Sequence, residues 1–228
     1  MTQKLVIITG ATSGIGMAMA RIFSAAGYSL GLFARNLSAM ESLNLPNSIC
    51  VSTDVTDFEA VKEAMISTEK KFGPVDCLIN NAGLLKSGGI NDMPLEDHVE
   101  MLNVNVLGVI NSIKSVLPGM RIRQMGTIIN ISSIADRNAR PQFPTYAATK
   151  AAIKSLSESL RMENASYGIR ISNLAPARIR TVMDSPAGIA GFQDIYPREL
   201  AKTALWIYEQ PQTICIRDMV FAPTYYEP

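Results

Sequence analysis

The stretch Leu5-Val-Ile-Ile-Thr9-Gly10-Ala-Thr-Ser-Gly14-Ile-Gly16 runs straight into the helix-like segment Met17 to Ala26, which Gly27 closes. Leu5 to Ile8 is a short uninterrupted apolar run, the pattern of a strand buried on both faces of a parallel sheet. Strand, glycine-rich turn and helix in direct succession is the context a dinucleotide-binding turn requires. Its glycines let the backbone turn tightly and approach a diphosphate, whose charge then lies at the N-terminus of the helix. The spacing Gly-x-x-x-Gly-x-Gly differs from the commoner Gly-x-Gly-x-x-Gly. The plain alternative is a flexible strand-to-helix turn.

Outward from this unit the rhythm repeats. Further strands are expected at Ser29 to Ala34, Ile49 to Thr53, Cys77 to Ile79, Gly126 to Ile131 and Arg170 to Ala175, with a last run at Ile214 to Phe221. Helices are expected from Arg35-Asn36 onward, at 57–72, at 95–116 with Pro118-Gly119 as a stop, at 144–167 and at 197–209. Alternation of this kind predicts an α/β fold, a doubly wound parallel sheet. Ligands bind such sheets beyond the C-terminal ends of the strands. The polar motifs lie at those ends: Thr9-Gly10, Asp54-Val55, Asn80-Asn81-Ala82-Gly83, Ser132-Ser133 and Pro176-Ala177.

Tyr146-Ala-Ala-Thr-Lys150 opens the 144–167 helix. Residues four apart share one helix face, so the ammonium would stand beside the phenol. A neighbouring cation favours the phenolate and would draw the tyrosine pKa below its free value of about 10. Such a pair can donate and accept a proton. Taken alone, the spacing also fits an ordinary surface pair.

Composition removes several function classes. The 228 residues are 47% hydrophobic and 18% charged, with net charge +1 and no block of like charges, which excludes binding to nucleic acid or membrane surfaces driven by charge. No apolar run is long enough to span a bilayer, and no leader pattern precedes the first strand. Cys50, Cys77 and Cys215 are scattered, and read as buried thiols of a cytoplasmic protein rather than disulfides or a metal site. His98, among Glu96, Asp97 and Glu100, reads as a solvated surface residue. Met17, Met19 and Met162 read as core fillers.

Together, Thr9-Gly10-x-x-x-Gly14-x-Gly16, Asp54-Val55, Asn80-Asn81-Ala82-Gly83, Asn105, Ser133, Tyr146-x-x-x-Lys150 and Pro176 to Thr181 resemble the short-chain dehydrogenase/reductase family over nearly the whole chain. The resemblance implies a single Rossmann domain over residues 1–228 with a seven-stranded sheet. It implies an oxidoreductase that interconverts a carbonyl compound and an alcohol. In that reading Tyr146 is the general acid or base, Ser133 orients the substrate oxygen, and Lys150 binds the nicotinamide ribose. Asn105 holds a water linking Lys150 to solvent. Asp54 bonds the adenine amino group and Asn81 supports the coenzyme ribose and central strand. Coenzyme contacts are further expected at Gly10, Thr12, Ser13, Gly14, Ile15, Gly16, Val55, Ala82, Gly83, Pro176, Ile179 and Thr181, besides Tyr146 and Lys150. The family pairs its two long central helices with those of a neighbour, so a homodimer or homotetramer is expected.

The chain departs from the family pattern at Ala177, where glycine is usual, and at Asp136, also a common glycine position. Its C-terminal part looks like the branch containing NADP-dependent 3-hydroxy acid and serine dehydrogenases. The second strand ends Leu32-Phe33-Ala34-Arg35-Asn36 without the acidic residue that NAD-specific sites place on the ribose hydroxyl. Arg35, with Asn36 beside it, is therefore expected to take the 2′-phosphate of NADP(H), unless it simply points into solvent. Arg137, Arg140, Arg178 and Arg180 could meet a substrate carboxylate, or be solvated or bind coenzyme phosphates. A second functional reading is a sensor that binds NADP(H) without turnover. The filled positions 105, 133, 146 and 150 speak against it.

Overall fold

The computed structural model describes residues 4–12, 14–180 and 195–224. Ser13, Thr181 and residues 182–194 lie outside the described residues. Seven parallel strands form one sheet in the order β3-β2-β1-β4-β5-β6-β7. They are β1 (Leu5–Thr9), β2 (Ser29–Ala34), β3 (Ser48–Ser52), β4 (Val75–Asn80), β5 (Gly126–Ile131), β6 (Ile169–Pro176) and β7 (Asp218–Phe221). The helices are α1 (Gly14–Ala25), α2 (Leu37–Glu41), α3 (Phe58–Phe72), α4 (Leu95–Leu102), α5 (Gly108–Arg123), α6 (Pro144–Asn164) and α7 (Pro197–Glu209).

Alternation along β1 builds two cores. Val6 and Ile8 pack with Met19 and Phe23 of α1 and with Leu200, Ala204 and Ile207 of α7. Leu5 and Ile7 face the other way, against Val61 and Met65 of α3, Val109 and Ile113 of α5, and Ile153 of α6. Both faces of the sheet are thus covered, and for that reason the strands read as continuous apolar runs. Strand order reverses between β1 and β4, which opens a crevice above their C-terminal ends.

Several expectations are corrected. Pro118 does not stop its helix: α5 continues to Arg123 and ends at Gln124 in the left-handed conformation (φ 52°). Pro118 and Lys114, one turn earlier, are both exposed, so water can take the carbonyl that loses its helical partner. The expected single helix from 95 is interrupted by one π-turn at Asn103–Leu107. The last strand begins at Asp218 rather than 214, because the Ile214 carbonyl is drawn to Arg170 and Cys215 Sγ to the Ile171 carbonyl.

His98 is buried, not solvated, with its Nδ1 2.6 Å from Thr145 Oγ1. Met19 is buried and Met17 packs against the core, whereas Met162 is exposed. Only Cys77 of the three thiols is fully enclosed, while Cys50 and Cys215 are partly buried. On α6 the residues turned inward include Thr149, Lys150, Ile153 and Ser157. Ala148, Ala152 and Ser159 are exposed.

Polar groups are also built into the interior. Arg170 of β6 reaches the end of α7 and donates to the carbonyls of Tyr208 and Gln210, each at 2.7 Å. Those carbonyls have no partner inside the helix, so a buried guanidinium satisfies them. Register places Asn80, Asn130, Asn173 and Asp218 in one row across four strands. Asn80 Nδ2 donates to Asn130 Oδ1 (2.8 Å), and Asn130 Nδ2 to Ser157 Oγ (2.8 Å). Among the described residues, no helix is long and apolar enough to cross a membrane.

Candidate active site

The turn after β1 is held to β4 by side-chain hydrogen bonds. Thr9 Oγ1 accepts from the backbone amides of Asn81 (3.1 Å) and Ala82 (3.0 Å). Asn81 Nδ2 donates back to the carbonyls of Thr9 (3.0 Å) and Gly10 (3.1 Å). This closeness is why the turn needs glycine. A Cβ on Gly16 would lie 2.1 Å from the Gly10 carbonyl oxygen, and one on Gly10 would lie 2.8 Å from the Ala82 Cα. Gly10 (φ 68°) and Gly14 (φ 50°) also adopt the left-handed conformation. Beyond them α1 begins with Gly14, Ile15 and Gly16 and carries no acidic residue in its first turn, which leaves its N-terminus open to an anion.

The expected adenosine residues line the neighbouring strand ends. Arg35 is exposed at the end of β2, and Asn36 caps α2 by accepting from the Ala39 amide (3.1 Å). Asp54 is exposed after β3, where its Oδ1 accepts from the Thr56 amide (2.9 Å) and hydroxyl (2.8 Å). Val55 is buried, and its carbonyl accepts from Asn111 Nδ2 (2.9 Å). Pro176 ends β6, and Ile179 forms a single parallel bridge with Ile195.

Asn105, Ser133, Tyr146 and Lys150 come from three separate stretches of chain. The π-turn swings Asn105 out of the helical ladder and into the interior, a common use of such bulges. Its Oδ1 accepts from the Leu84 amide (2.8 Å), while Nδ2 donates to the Leu84 carbonyl (2.9 Å) and to Thr149 Oγ1 (3.1 Å). Thr149 Oγ1 donates to the Tyr146 carbonyl (2.7 Å), so Asn105 clips the segment after Gly83 to the first turn of α6. A Cβ on Gly83 would lie 3.3 Å from Asn105 Oδ1 and 3.7 Å from Lys150 Nζ.

Lys150 Nζ is buried and donates to the Ile131 carbonyl at the end of β5 (2.9 Å). It stands 5.6 Å from the centre of the Tyr146 ring. Burial brings its pKa from 10.5 down to about 8, against the pull of the Asp136 carboxylate, which raises it. Tyr146 moves opposite to the expectation from its lysine neighbour. Burial pushes its phenol above the usual value, a hydrogen bond with the Ser133 side chain lowers it, and Asp136 adds a further rise. Desolvation therefore outweighs the Ser133 hydrogen bond. Ser133 Oγ also accepts from the Ala135 amide (3.2 Å).

The arrangement thus joins a phenol, a hydroxyl and an ammonium at the rim of a glycine-lined crevice. Together they can offer two hydrogen bonds and one positive charge to a single oxygen atom. Sequence reasoning missed Thr149 and the Asn130–Ser157 pair beneath the site. It also mistook Arg137, which is not available to a substrate. Its Nε lies 2.6 Å from Asp136 Oδ1 and its NH2 2.8 Å from Asp218 Oδ1. Ordinary polar residues within helices and strands carry no local signal of such contacts.

A sequence model of the short chain dehydrogenase family matches residues 4–189. The chain belongs to that family. An uncharacterized oxidoreductase of Staphylococcus saprophyticus is 30% identical over 228 residues, covering 97% of each chain. An alcohol dehydrogenase from the archaeon Thermococcus sibiricus, solved with 5-hydroxy-NADP, superposes with a TM-score of 0.91 at 26% identity and covers 99% of both chains. The closed form of a serine dehydrogenase complexed with NADP+ superposes with a TM-score of 0.90 at 26% identity, covering 95% of this chain and 94% of that one.

Burial of Lys150 links the site to stability. Between about pH 8 and 10.5 the unfolded chain binds more protons at this residue than the folded one, so the cost of burying the charge is relieved as pH rises. Lys150→Met removes that dependence. Its stability relative to the unchanged protein should fall by about 1–3 kcal/mol as pH rises through this window. Urea unfolding of both proteins at each end of the window checks it, and a constant difference would contradict the assignment.

Proposed function

We propose that the protein is an NADP(H)-dependent oxidoreductase that interconverts a carbonyl compound and an alcohol, with Tyr146 as the proton donor and acceptor. The observation that carries the reading is the junction of the Ser133–Tyr146 hydrogen bond with a buried Lys150 beside Gly83. Tyr146 hands its proton to the carbonyl oxygen in reduction and recovers one in oxidation. Ser133 donates to the same oxygen and sets its direction. Lys150 places positive charge behind the phenol as negative charge grows there. Asn105 positions both α6 and the strand end at Gly83.

The residues present fit the coenzyme. Gly10, Thr12, Gly14, Ile15 and Gly16 would hold its diphosphate, and Asp54, Val55, Asn81, Ala82 and Gly83 its adenosine and ribose parts. Pro176 and Ile179 would add further coenzyme contacts. NADP(H), when bound, supplies the hydride. Arg35 at the end of a strand without Asp or Glu favours the 2′-phosphate. Two solved neighbours that carry NADP or its 5-hydroxy derivative support the same choice. A sensor without turnover would have no use for the ordered Ser133–Tyr146–Lys150 group.

The serine dehydrogenase neighbour makes small polar alcohols and their carbonyl partners the first substrate class to test. NADPH oxidation against a panel of aldehydes, ketones and 3-oxo acids identifies the substrate. Preference for long aliphatic or steroid ketones would refute this class. We further infer a homodimer or homotetramer. Leu95, Val99, Leu102 and Leu107 are exposed along α4 and the π-turn, and Ala148, Ala152 and Ser159 along α6. An apolar helix face rimmed by small residues suits close packing against a second copy. Light scattering at micromolar concentration should return a multiple of the 24.8 kDa chain mass, and a monomeric mass would refute it.

Tyr146→Phe should lower turnover by about a hundredfold or more while leaving NADPH affinity nearly intact, the signature of a lost general acid. Steady-state rates and NADPH fluorescence titration measure the two quantities, and retained turnover would remove Tyr146 from its role. Arg35→Ala should weaken NADPH binding roughly ten- to a hundredfold, the range of a charged hydrogen bond, and barely affect NADH. Tighter binding of NADH by the unchanged protein would overturn the coenzyme assignment.

A further inference from the structure

Asp136 is a buried carboxylate with no exposed side-chain surface, the last residue of the short turn Ile134–Asp136 that Ser133 caps. Its Oδ2 accepts from Ser132 Oγ (3.0 Å), Asn173 Nδ2 (3.0 Å) and Arg137 NH2 (3.1 Å), and its Oδ1 from Arg137 Nε (2.6 Å). Arg137 NH2 and Asn173 Nδ2 both reach on to Asp218 Oδ1 of β7. The Ser132 hydroxyl also lies 3.3 Å from the Lys150 carbonyl oxygen. One carboxylate therefore ties the turn after β5 to β6 directly, to β7 through arginine, and to α6 through Ser132.

A structural turn does not need a buried charge. Desolvating a carboxylate is costly until its partners offset it, so the buried charge asks for a role besides closing the turn. The charge sits where both working groups feel it. Asp136 raises the pKa of Lys150 and of Tyr146. The other charged groups of this cluster are Arg137 on the same turn, Asp218 on β7 and Lys154 on α6, which acts on Asp218. From α4, the His98 ring bonds to Thr145, beside Tyr146. Removing Asp136 would thus release the turn that aims Ser133 and take the negative partner from Lys150 in one step.

We propose that Asp136 is a positioning residue for the reaction, locking the Ser132–Ser133 turn to β6 and α6 and holding a buried carboxylate close to Tyr146 and Lys150. This rests on the tyrosine-centred reading above. The test compares Asp136→Asn, nearly isosteric but uncharged, with Ser132→Ala, which keeps the charge and loses the tether. The ionisation of Tyr146 is followed without any substrate, as the tyrosinate absorbance of each protein minus that of the same protein carrying Tyr146→Phe. In D136N the Tyr146 titration should move to lower pH by roughly half to one unit, as for the loss of a nearby like charge. Turnover of the fastest carbonyl in the panel should fall about tenfold or more in D136N and in S132A, with KM for NADPH changed by less than about threefold, as for a misdirected catalytic group. S132A should leave the Tyr146 titration in place. An unmoved titration and unchanged turnover in folded D136N would overturn the proposal. Should D136N not fold, S132A decides: unchanged turnover there overturns it, and a loss confined to kcat supports it. If Tyr146→Phe itself stays active, the tyrosine-centred reading fails; if it is inactive while D136N behaves as the unchanged protein, only the role of Asp136 fails.

Discussion

The side-chain amide of Asn81 donates to two consecutive carbonyls, Thr9 and Gly10, across the seam between β1 and β4. Thr9 answers by accepting from the Asn81 and Ala82 amides, so four hydrogen bonds close the point where strand order reverses. Backbone groups at strand ends lose their ladder partners, and those buried in a crevice must find others. Here they do so in a way that pulls the turn within van der Waals distance of β4. Gly10 and Gly16 follow from that closeness, since a Cβ at either would collide with backbone. The crevice, the open start of α1 and the placing of Gly83 beside Lys150 all depend on this seam.

The second half of the site is held by buried polar groups of a different kind. Asn105 uses all of its amide to join the segment after Gly83 to α6, and the π-turn frees it to do so. Beneath it the Asn80–Asn130–Ser157 chain anchors α6 to the centre of the sheet. Such networks are costly when half satisfied and rigid when complete. They hold a lysine in surroundings that pull its pKa down to about 8. A charge kept under that pressure responds strongly to its few neighbours, which is why a carboxylate at position 136 matters to the chemistry as well as to the turn.

The sequence by itself determined the architecture. Short uninterrupted apolar runs alternating with amphipathic segments left only a doubly wound sheet, because such strands need both faces covered. The ends of β2 and β5, the bounds of α7 and the grouping of motifs at the C-terminal strand ends were legible, since burial and turn chemistry act locally. What only the tertiary structure decided are contacts between residues distant in sequence. The π-turn at Asn105 and the passage of α5 through Pro118 override local helix rules, because surrounding groups satisfy the backbone. His98 looked solvated among acidic neighbours, yet the packing of α4 on α6 buries it. Arg137 looked available to a substrate, yet Asp218 of β7 and the adjacent Asp136 hold it. The rise in the Tyr146 pKa was invisible for the same reason: proximity to a lysine is written in a four-residue spacing, whereas desolvation is set by everything that packs around the ring.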